Sequence, residues 1–403
     1  MKNKLLIVAT LDTKGREAGY AKAIALSLGV DTVLMDVGTL EKPAIIPDIP
    51  AHKVAEAAGY DLDTVKQKGG RAEAVKAMQE GGTVIARQLV EEGKVDGLFG
   101  MGGGTGTALV ASIMRSLPFG FPKVILSTVA SRDVREYIGT KDIAMFHSVA
   151  DLLGDNLFIH RILEQAVRAA CAMMENSIEI KSGRPMVAVT AYGINSRCAL
   201  NAEHVLDVKG YAMIGFHANG VGGMAMEEMI EEGMIAGVLD FTPHELVDNM
   251  YGGYCRGITD KRFEMAGKKG IPLVFAPGGL DNAVFSPVYP MPDILKGRKT
   301  HSHDERFCVR MGGAEMIEFA HIISEKFNKS KGPVHVLIPK KGWSEADKPG
   351  MALFEPDTDR IFVNELKSLL TPGIPVEEMD LHISEQAFAD RAVEILDDMI
   401  QKG

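Results

Sequence analysis

Short apolar, β-branched runs alternate with longer stretches of helical periodicity along this chain, and the whole alternation occurs twice. That grammar constrains the fold more than any single residue. Strands separated by helices are wound as a parallel sheet with helices on its faces. In the first half the runs lie at 5–9, 32–37, 95–99, 123–127 and 143–149. Helical patterns follow at 15–28, 71–92, 107–117 and 155–176, the last with Leu157, Ile162, Leu163, Val167 and Ala170 at helical spacing. Ser182-Gly183-Arg184-Pro185 then breaks the chain.

The second half repeats the order. The runs at 186–190, 211–216, 235–239 and 272–275 answer the first four strands, and a further one follows at 334–338. Phe388, Ala392, Ile395, Leu396 and Met399 form the apolar face of a final amphipathic helix. The expected architecture is α/β: two tandem Rossmann-like parallel-sheet domains with flanking helices, 1–182 and 183–403. The segment between the second and third strands is much longer in the first half (38–94) than in the second (217–234) and reads as an insertion. Its prolines Pro43, Pro47 and Pro50 and the Gly69-Gly70 break suit a peripheral lid or a dimer arm better than a core element.

Composition narrows the function classes. Lys plus Arg is 44 against 54 for Asp plus Glu, a net charge of −10, which argues against a nucleic-acid binder but leaves room for a basic pocket around one nucleotide. The basic head at 1–4 is followed by an apolar run that Asp12 ends, with no cleavage site, so it predicts a buried first strand rather than a signal peptide. The uncharged stretch 97–114 contains six glycines and is no membrane helix. Cys171, Cys198, Cys255 and Cys308 lie far apart, as reduced thiols do. A soluble, cytoplasmic protein is expected.

In open α/β sheets ligands bind beyond the carboxyl ends of the strands. After the first strand come Asp12, Thr13, Lys14, Gly15 and Arg16; two cations beside a helix N-terminus, with Gly15 permitting an unusual turn, fit an anion held there. Asp12 as a plain helix cap is the structural alternative. After the third strand, Gly102-Gly103-Gly104-Thr105-Gly106-Thr107 runs into an apolar helix. Strand, glycine loop and helix in that order let backbone N–H groups close around phosphate oxygens, with Thr105 and Thr107 as hydroxyl donors. The run is neither a Walker loop nor a dinucleotide fingerprint. After the fourth strand, Ser131, Arg132 and Asp133 offer a hydroxyl, a cation and a carboxylate to a ribose or phosphate.

The strings VATLDTKGREAGY, FGMGGGTGTAL and STVASRDV, with GVLDFTPHELVDNMYGG, FAPGGLDNAVF and GWSEADKPGMALFEPDTDR further on, resemble one family across essentially the whole chain. It is the family of the tomato tobamovirus-resistance protein and its uncharacterised bacterial homologues. The resemblance implies a Rossmann-like N-terminal domain that takes ATP, a related C-terminal domain, and a homodimer.

The second half has no glycine loop of the same kind. Asp240 to Glu245 follow its third strand, and Pro277 to Asn282 its fourth. Next comes Thr300-His301-Ser302-His303-Asp304-Glu305, where two imidazoles on an extended segment project to one side. His301 and His303 are expected to act as acid–base groups or anion contacts on a small second substrate, in a loop whose charges, Arg310 included, face solvent or a wet cleft. A metal site is the weaker reading, with Asp240 or His244 as third ligand.

The reading that joins these parts is an ATP-binding protein, possessing the equipment for phosphoryl transfer or ligation on a small anionic metabolite at an interdomain cleft. Lys14 or Arg132 would stabilise charge and Asp12 or Asp133 would hold Mg²⁺. The alternative is a non-catalytic nucleotide-dependent sensor. An oxidoreductase is disfavoured, because only Asp36, within the second strand, approaches the acidic position that a dinucleotide ribose requires.

Overall fold

The structure is a computed structural model and describes residues 3–154, 156–175, 183–302 and 304–402. It divides into two compact units, Met1–Ile180 and Lys181–Gly403.

The first unit runs β1 (Lys4–Ala9), α1 (Leu11–Ser27), β2 (Asp31–Asp36), α2 (Ala51–Ala57), α3 (Leu62–Lys68), α4 (Gly70–Glu91), β3 (Gly97–Gly102), α5 (Gly104–Arg115), β4 (Lys123–Ser127), α6 (Arg135–Ile138), β5 (Ala144–His147) and α7 (Leu157–Glu175). Its five strands are parallel in the order β2-β1-β3-β4-β5. Because helices cover both faces, the strands are apolar throughout rather than alternating. Leu5, Ile7, Phe99 and Val124 meet Ala18, Ala21 and Ile24 of α1 and Leu163 and Val167 of α7. The intervening Leu6, Val8, Leu98 and Ile125 meet Met78 of α4 and Val110 and Ile113 of α5 on the opposite face.

This arrangement corrects the reading of 38–94 as a peripheral insertion. The connection between parallel strands of one sheet must cross over it, and α4 is part of the crossover that carries the chain from β2 past β1 to β3. Ala74, Ala77, Met78 and Ala86 are buried along it. Its stripe is made of small residues, which is why the sequence concealed it. A side chain at Gly81 would lie 1.8 Å from the Val54 carbonyl oxygen of α2, and one at Gly82 would lie 2.4 Å from Ile113 Cδ1 of α5. The two glycines let both neighbours approach.

The second unit runs β6 (Met186–Ala191), α8 (Ser196–Val208), β7 (Ala212–His217), α9 (Gly222–Glu231), β8 (Gly237–Asp240), α10 (Glu245–Tyr251), α11 (Met265–Lys269), β9 (Leu273–Phe275), β10 (Asn282–Phe285), β11 (Thr300–Ser302), β12 (Phe307–Arg310), α12 (Gly313–Phe327), β13 (Val334–Pro339), α13 (Pro356–Leu369), β14 (Val376–Met379) and α14 (Gln386–Lys402). Its parallel sheet has the order β7-β6-β8-β9-β13-β14, the winding of the first unit with one strand added. Cys198, Ala202 and Leu206 of α8 and Phe388, Ala392 and Leu396 of α14 cover one face, as α1 and α7 do in the first unit. An antiparallel sheet, β10-β12-β11, enters between β9 and β13. Neither it nor β14 stood out in the sequence, since their strands are only three or four residues long and β14, VEEM, is mostly polar.

Ala inside a helix is favoured over Gly by about 1 kcal/mol when nothing else changes. Gly81→Ala is nevertheless expected to lower unfolding free energy by about 1–3 kcal/mol, because the new methyl overlaps α2. Denaturant titration checks this; unchanged or raised stability would mean that α2 does not press on α4.

Candidate functional site

The winding reverses between β1 and β3, with α1 leaving for one face of the sheet and α5 for the other. Diverging connections leave a crevice at the carboxyl ends of the two strands. A cavity of about 290 Å³ lies there. It brings together Asp12, Thr13 and Lys14 from the β1 side, Gly103 to Gly106 from the β3 side, Arg71 from the start of α4 and Asp151 from the segment after β5. A larger hollow of about 590 Å³ shares Asp12 and Thr13 and continues along Gly15, Arg16, Tyr20 and His160. The Tyr20 and His160 rings stack there at 4.2 Å.

The glycines of the loop divide by role. A methyl at Gly102 would lie 2.7 Å from the Gly106 backbone, so glycine is needed there for the tight return into α5. Gly103, at φ −78°, is extended, and a methyl on it would come no nearer than 3.7 Å to Thr128 Oγ1. Around Gly104 there is nothing within 4 Å, and around Gly106 only the Met101 carbonyl at 3.5 Å. Neither folding nor packing requires glycine at these three positions. Their bare backbone faces the cavity, and the first N–H groups of α5 have no partner within the helix.

Several expected contacts have other duties. The hydroxyl of Thr107 is fully buried, donates toward the Gly102 carbonyl (3.2 Å) and shares a 2.7 Å hydrogen bond with Ser127. It locks the loop rather than facing a ligand. Gly15 is buried where a methyl would lie 2.8 Å from Ala44 Cβ, so its role is close packing, and the local kink falls at Lys14 (φ −124°, ψ 21°). Ser131 and Arg132 are exposed and do not line the cavity; Thr128 is the residue of that loop beside Gly103. Asp12 Oδ2 accepts from the Leu40 N–H at 2.8 Å, while its Oδ1 is buried with no hydrogen-bond partner. Lys14 Nζ donates to the Leu152 carbonyl. Asp36 is buried and accepts from the N–H groups of Leu11 (3.0 Å) and Gly38 (2.8 Å). Burial raises its pKa, and both N–H groups act against that shift. A carboxylate so engaged is not free for a ribose.

In the second unit the same reversal lies between β6 and β8, but buried charge occupies the equivalent place. Arg262, 1% exposed, bonds Asp240 twice (2.6 and 3.0 Å) and Glu245 (2.9 Å), with Glu227 at 3.4 Å. Burial works against its charge, yet the three carboxylates outweigh burial and hold its pKa above the ordinary arginine value. Asp240 therefore has no capacity for a metal. Arg262 was invisible in the sequence because Asp260, Lys261 and Glu264 around it read as a solvated turn.

A second cluster gathers after β9 and β13. Arg310, 3% exposed, faces Asp281 (3.9 Å), Asp347 (3.4 Å) and Asp359. Burial, then Asp281 and Asp359, push Asp347 up to about 9; burial also raises Asp359. Arg310 thus sits in a carboxylate cage, not in the solvated loop expected from the sequence. His301 lies on β11 at the edge of the antiparallel sheet, half-buried, and His303 lies outside the described residues. Trp343 is a core residue, donating to the Pro339 carbonyl (3.0 Å) and meeting Phe362 edge-on. The four cysteines are free and buried. Among the described residues no helix is long and apolar enough to cross a membrane.

Fold and site define a protein of two Rossmann-like α/β units with an open glycine loop in the first. The chain belongs to the uncharacterised protein family UPF0261: residues 3–179 match its N-terminal domain and 184–400 its C-terminal domain. It is 35% identical over 405 residues to a UPF0261 protein of Clostridium tetani, covering 100% of both chains. It is 36% identical over 423 residues to the ToMV susceptible protein tm-1(GCR26) of Solanum lycopersicum, covering 99% of this chain and 56% of that protein. Among solved structures, an uncharacterized Bacillus cereus protein aligns over 84% of this chain and 96% of its own at 10% identity, with a TM-score of 0.29, too low to carry an argument.

Replacing Arg262 by Met strands three buried carboxylates and is expected to cost about 3–5 kcal/mol of unfolding free energy; a loss under about 1 kcal/mol would contradict the network. Asp347 gives a pH signature. Its folded pKa lies above the unfolded value of about 4, so the native state holds the extra proton. Stability should then fall as pH rises from about 4 towards about 9. Asp347→Asn, neutral throughout, is expected to flatten that decline in melting temperature; an unchanged slope would show that the proton resides elsewhere.

Proposed function

We propose that the first unit binds a nucleotide, with its phosphates at the glycine loop. The observation that carries this is the trio Gly103, Gly104 and Gly106, which lack side chains where the fold would admit them and open onto a cavity edged by Lys14 and Arg71. Backbone N–H groups at a helix start, two nearby cations and no obstructing Cβ suit phosphate oxygens. The Tyr20–His160 pair in the adjoining hollow offers a stacking surface for a base. ATP is the nucleotide that the family resemblance favours. The orphaned Oδ1 of Asp12 suits Mg²⁺, which would neutralise phosphate charge there.

Phosphoryl transfer or ligation on a small anion is the reaction class this equipment serves. A non-catalytic sensor has its own support: Asp12 and Lys14 spend bonds on Leu40 and Leu152, so nucleotide at this rim would act on the segments after β2 and β5. ATP consumption by the full chain, measured with candidate acceptors, separates the two readings.

Millimolar MgATP should raise the thermal stability of the full chain, by about 2.7 kcal/mol at a hundredfold excess over Kd. Gly104→Val should abolish that shift while changing the unliganded stability by no more than about 0.5 kcal/mol, since the new side chain meets only the cavity. No shift with any nucleotide, or a full shift in the variant, would overturn the assignment.

A further inference from the structure

A third cluster in the second unit is independent of the nucleotide reading. His244, Asp248 and Cys255 are all fully buried, and one potential ligand atom from each lies within 4.8 Å of the others. Asp248 follows His244 by one helical turn, and the left-handed Gly252 ends α10 so that the chain returns Cys255 to the same point.

The orientation of the histidine decides what the cluster is for. In a nucleophile–base–acid relay the carboxylate and the thiol sit on opposite ring nitrogens. Here Nδ1 is taken by the Gly279 carbonyl at 2.9 Å. Nε2 faces the Asp248 and Cys255 side, lies 3.5 Å from Asp248 Oδ2 and has no hydrogen-bond partner. A ring nitrogen fixed by a backbone carbonyl, with the other aimed at a carboxylate and a thiol, is the pattern of a metal-ligating histidine. The carboxylate is oriented too: Asp248 Oδ1 accepts from the Val284 N–H at 2.7 Å and Oδ2 from the Cys255 N–H at 2.6 Å. A methyl at Gly253 would lie 2.6 Å from Asp248 Cγ, so the turn closes directly over it.

We propose that His244, Asp248 and Cys255 bind a divalent transition metal of the zinc type, with one coordination position left open. A spacing of 3.5 Å is long for a hydrogen bond but close to the edge of a tetrahedron with bonds of about 2.0–2.3 Å. Imidazole with thiolate suits Zn²⁺ rather than Mg²⁺ or Ca²⁺. Charge also balances: a dication with one carboxylate and one thiolate is neutral, which matters where no solvent reaches. The thiol proton leaves to solvent as the metal–sulfur bond forms. Tyr192, which stacks on His244 at 5.0 Å, also lines a neighbouring cavity of about 300 Å³ together with His217, Arg306 and Cys308.

The test is metal binding by the full chain. Metal-free protein incubated with Zn²⁺ and desalted should retain about one ion per chain by elemental analysis. With Co²⁺ in place of Zn²⁺ it should develop a thiolate-to-metal charge-transfer band. Cys255→Ser should lose the band and at least tenfold in affinity, while Cys171→Ser, in the first unit, should keep both. If the wild-type chain retains no metal and shows no band, the proposal is wrong and the three side chains are a buried ion pair beside a neutral thiol. A band that survives in Cys255→Ser places the metal elsewhere and overturns it equally.

Discussion

A parallel sheet whose winding reverses direction cannot cover the carboxyl edge at the point of reversal. The helices that leave the two central strands go to opposite faces, and nothing in the winding fills the gap between them. That constraint occurs once in each unit, between β1 and β3 and between β6 and β8. The first unit leaves its gap open and lines it with bare backbone. In the second, the end of β8 is held in a buried network of Arg262 with Asp240, Glu245 and Glu227. Two copies of one winding have thus been put to different uses.

The open gap has a definite cost in the first unit. Loops that diverge at a switch point must be held, and the tethers are visible: Asp36 on the N–H groups of Leu11 and Gly38, Asp12 on Leu40, Lys14 on Leu152, and Thr107 on Ser127. All but the Asp36–Gly38 bond join segments distant in sequence. Arg71 reaches the rim only because α4 is a crossover helix packed on the sheet, so the long segment between β2 and β3 serves the core and the cavity at once.

The strands, their parallel pairing and the repeated order were legible in the sequence because a sheet buried on both faces writes itself as short apolar runs. The glycine loop was legible for a similar reason: glycine at three positions that do not need it for turns is an economical signal. What stayed hidden was whatever depends on three-dimensional charge pairing. Arg262 sits in a polar stretch that reads as surface and Arg310 closely follows the charged loop at 303–306, and only the fold shows each enclosed by acids from other elements. The same limit explains Thr107, whose residue type suits a phosphate contact but whose rotamer turns it inward. Small-residue packing, as at Gly81 and Gly15, is silent in hydropathy.

In the proposed nucleotide site, the β1 and β3 loops act as one anion-binding rim. Amide hydrogen exchange of the full chain with and without MgATP tests it most directly, because it reads the backbone groups themselves. Nucleotide is expected to slow exchange at two separated stretches, 11–16 and 103–107, with smaller effects on the tethered segments at 38–41 and 151–153. Protection absent from both stretches at saturating nucleotide, or confined to the second unit, would contradict it.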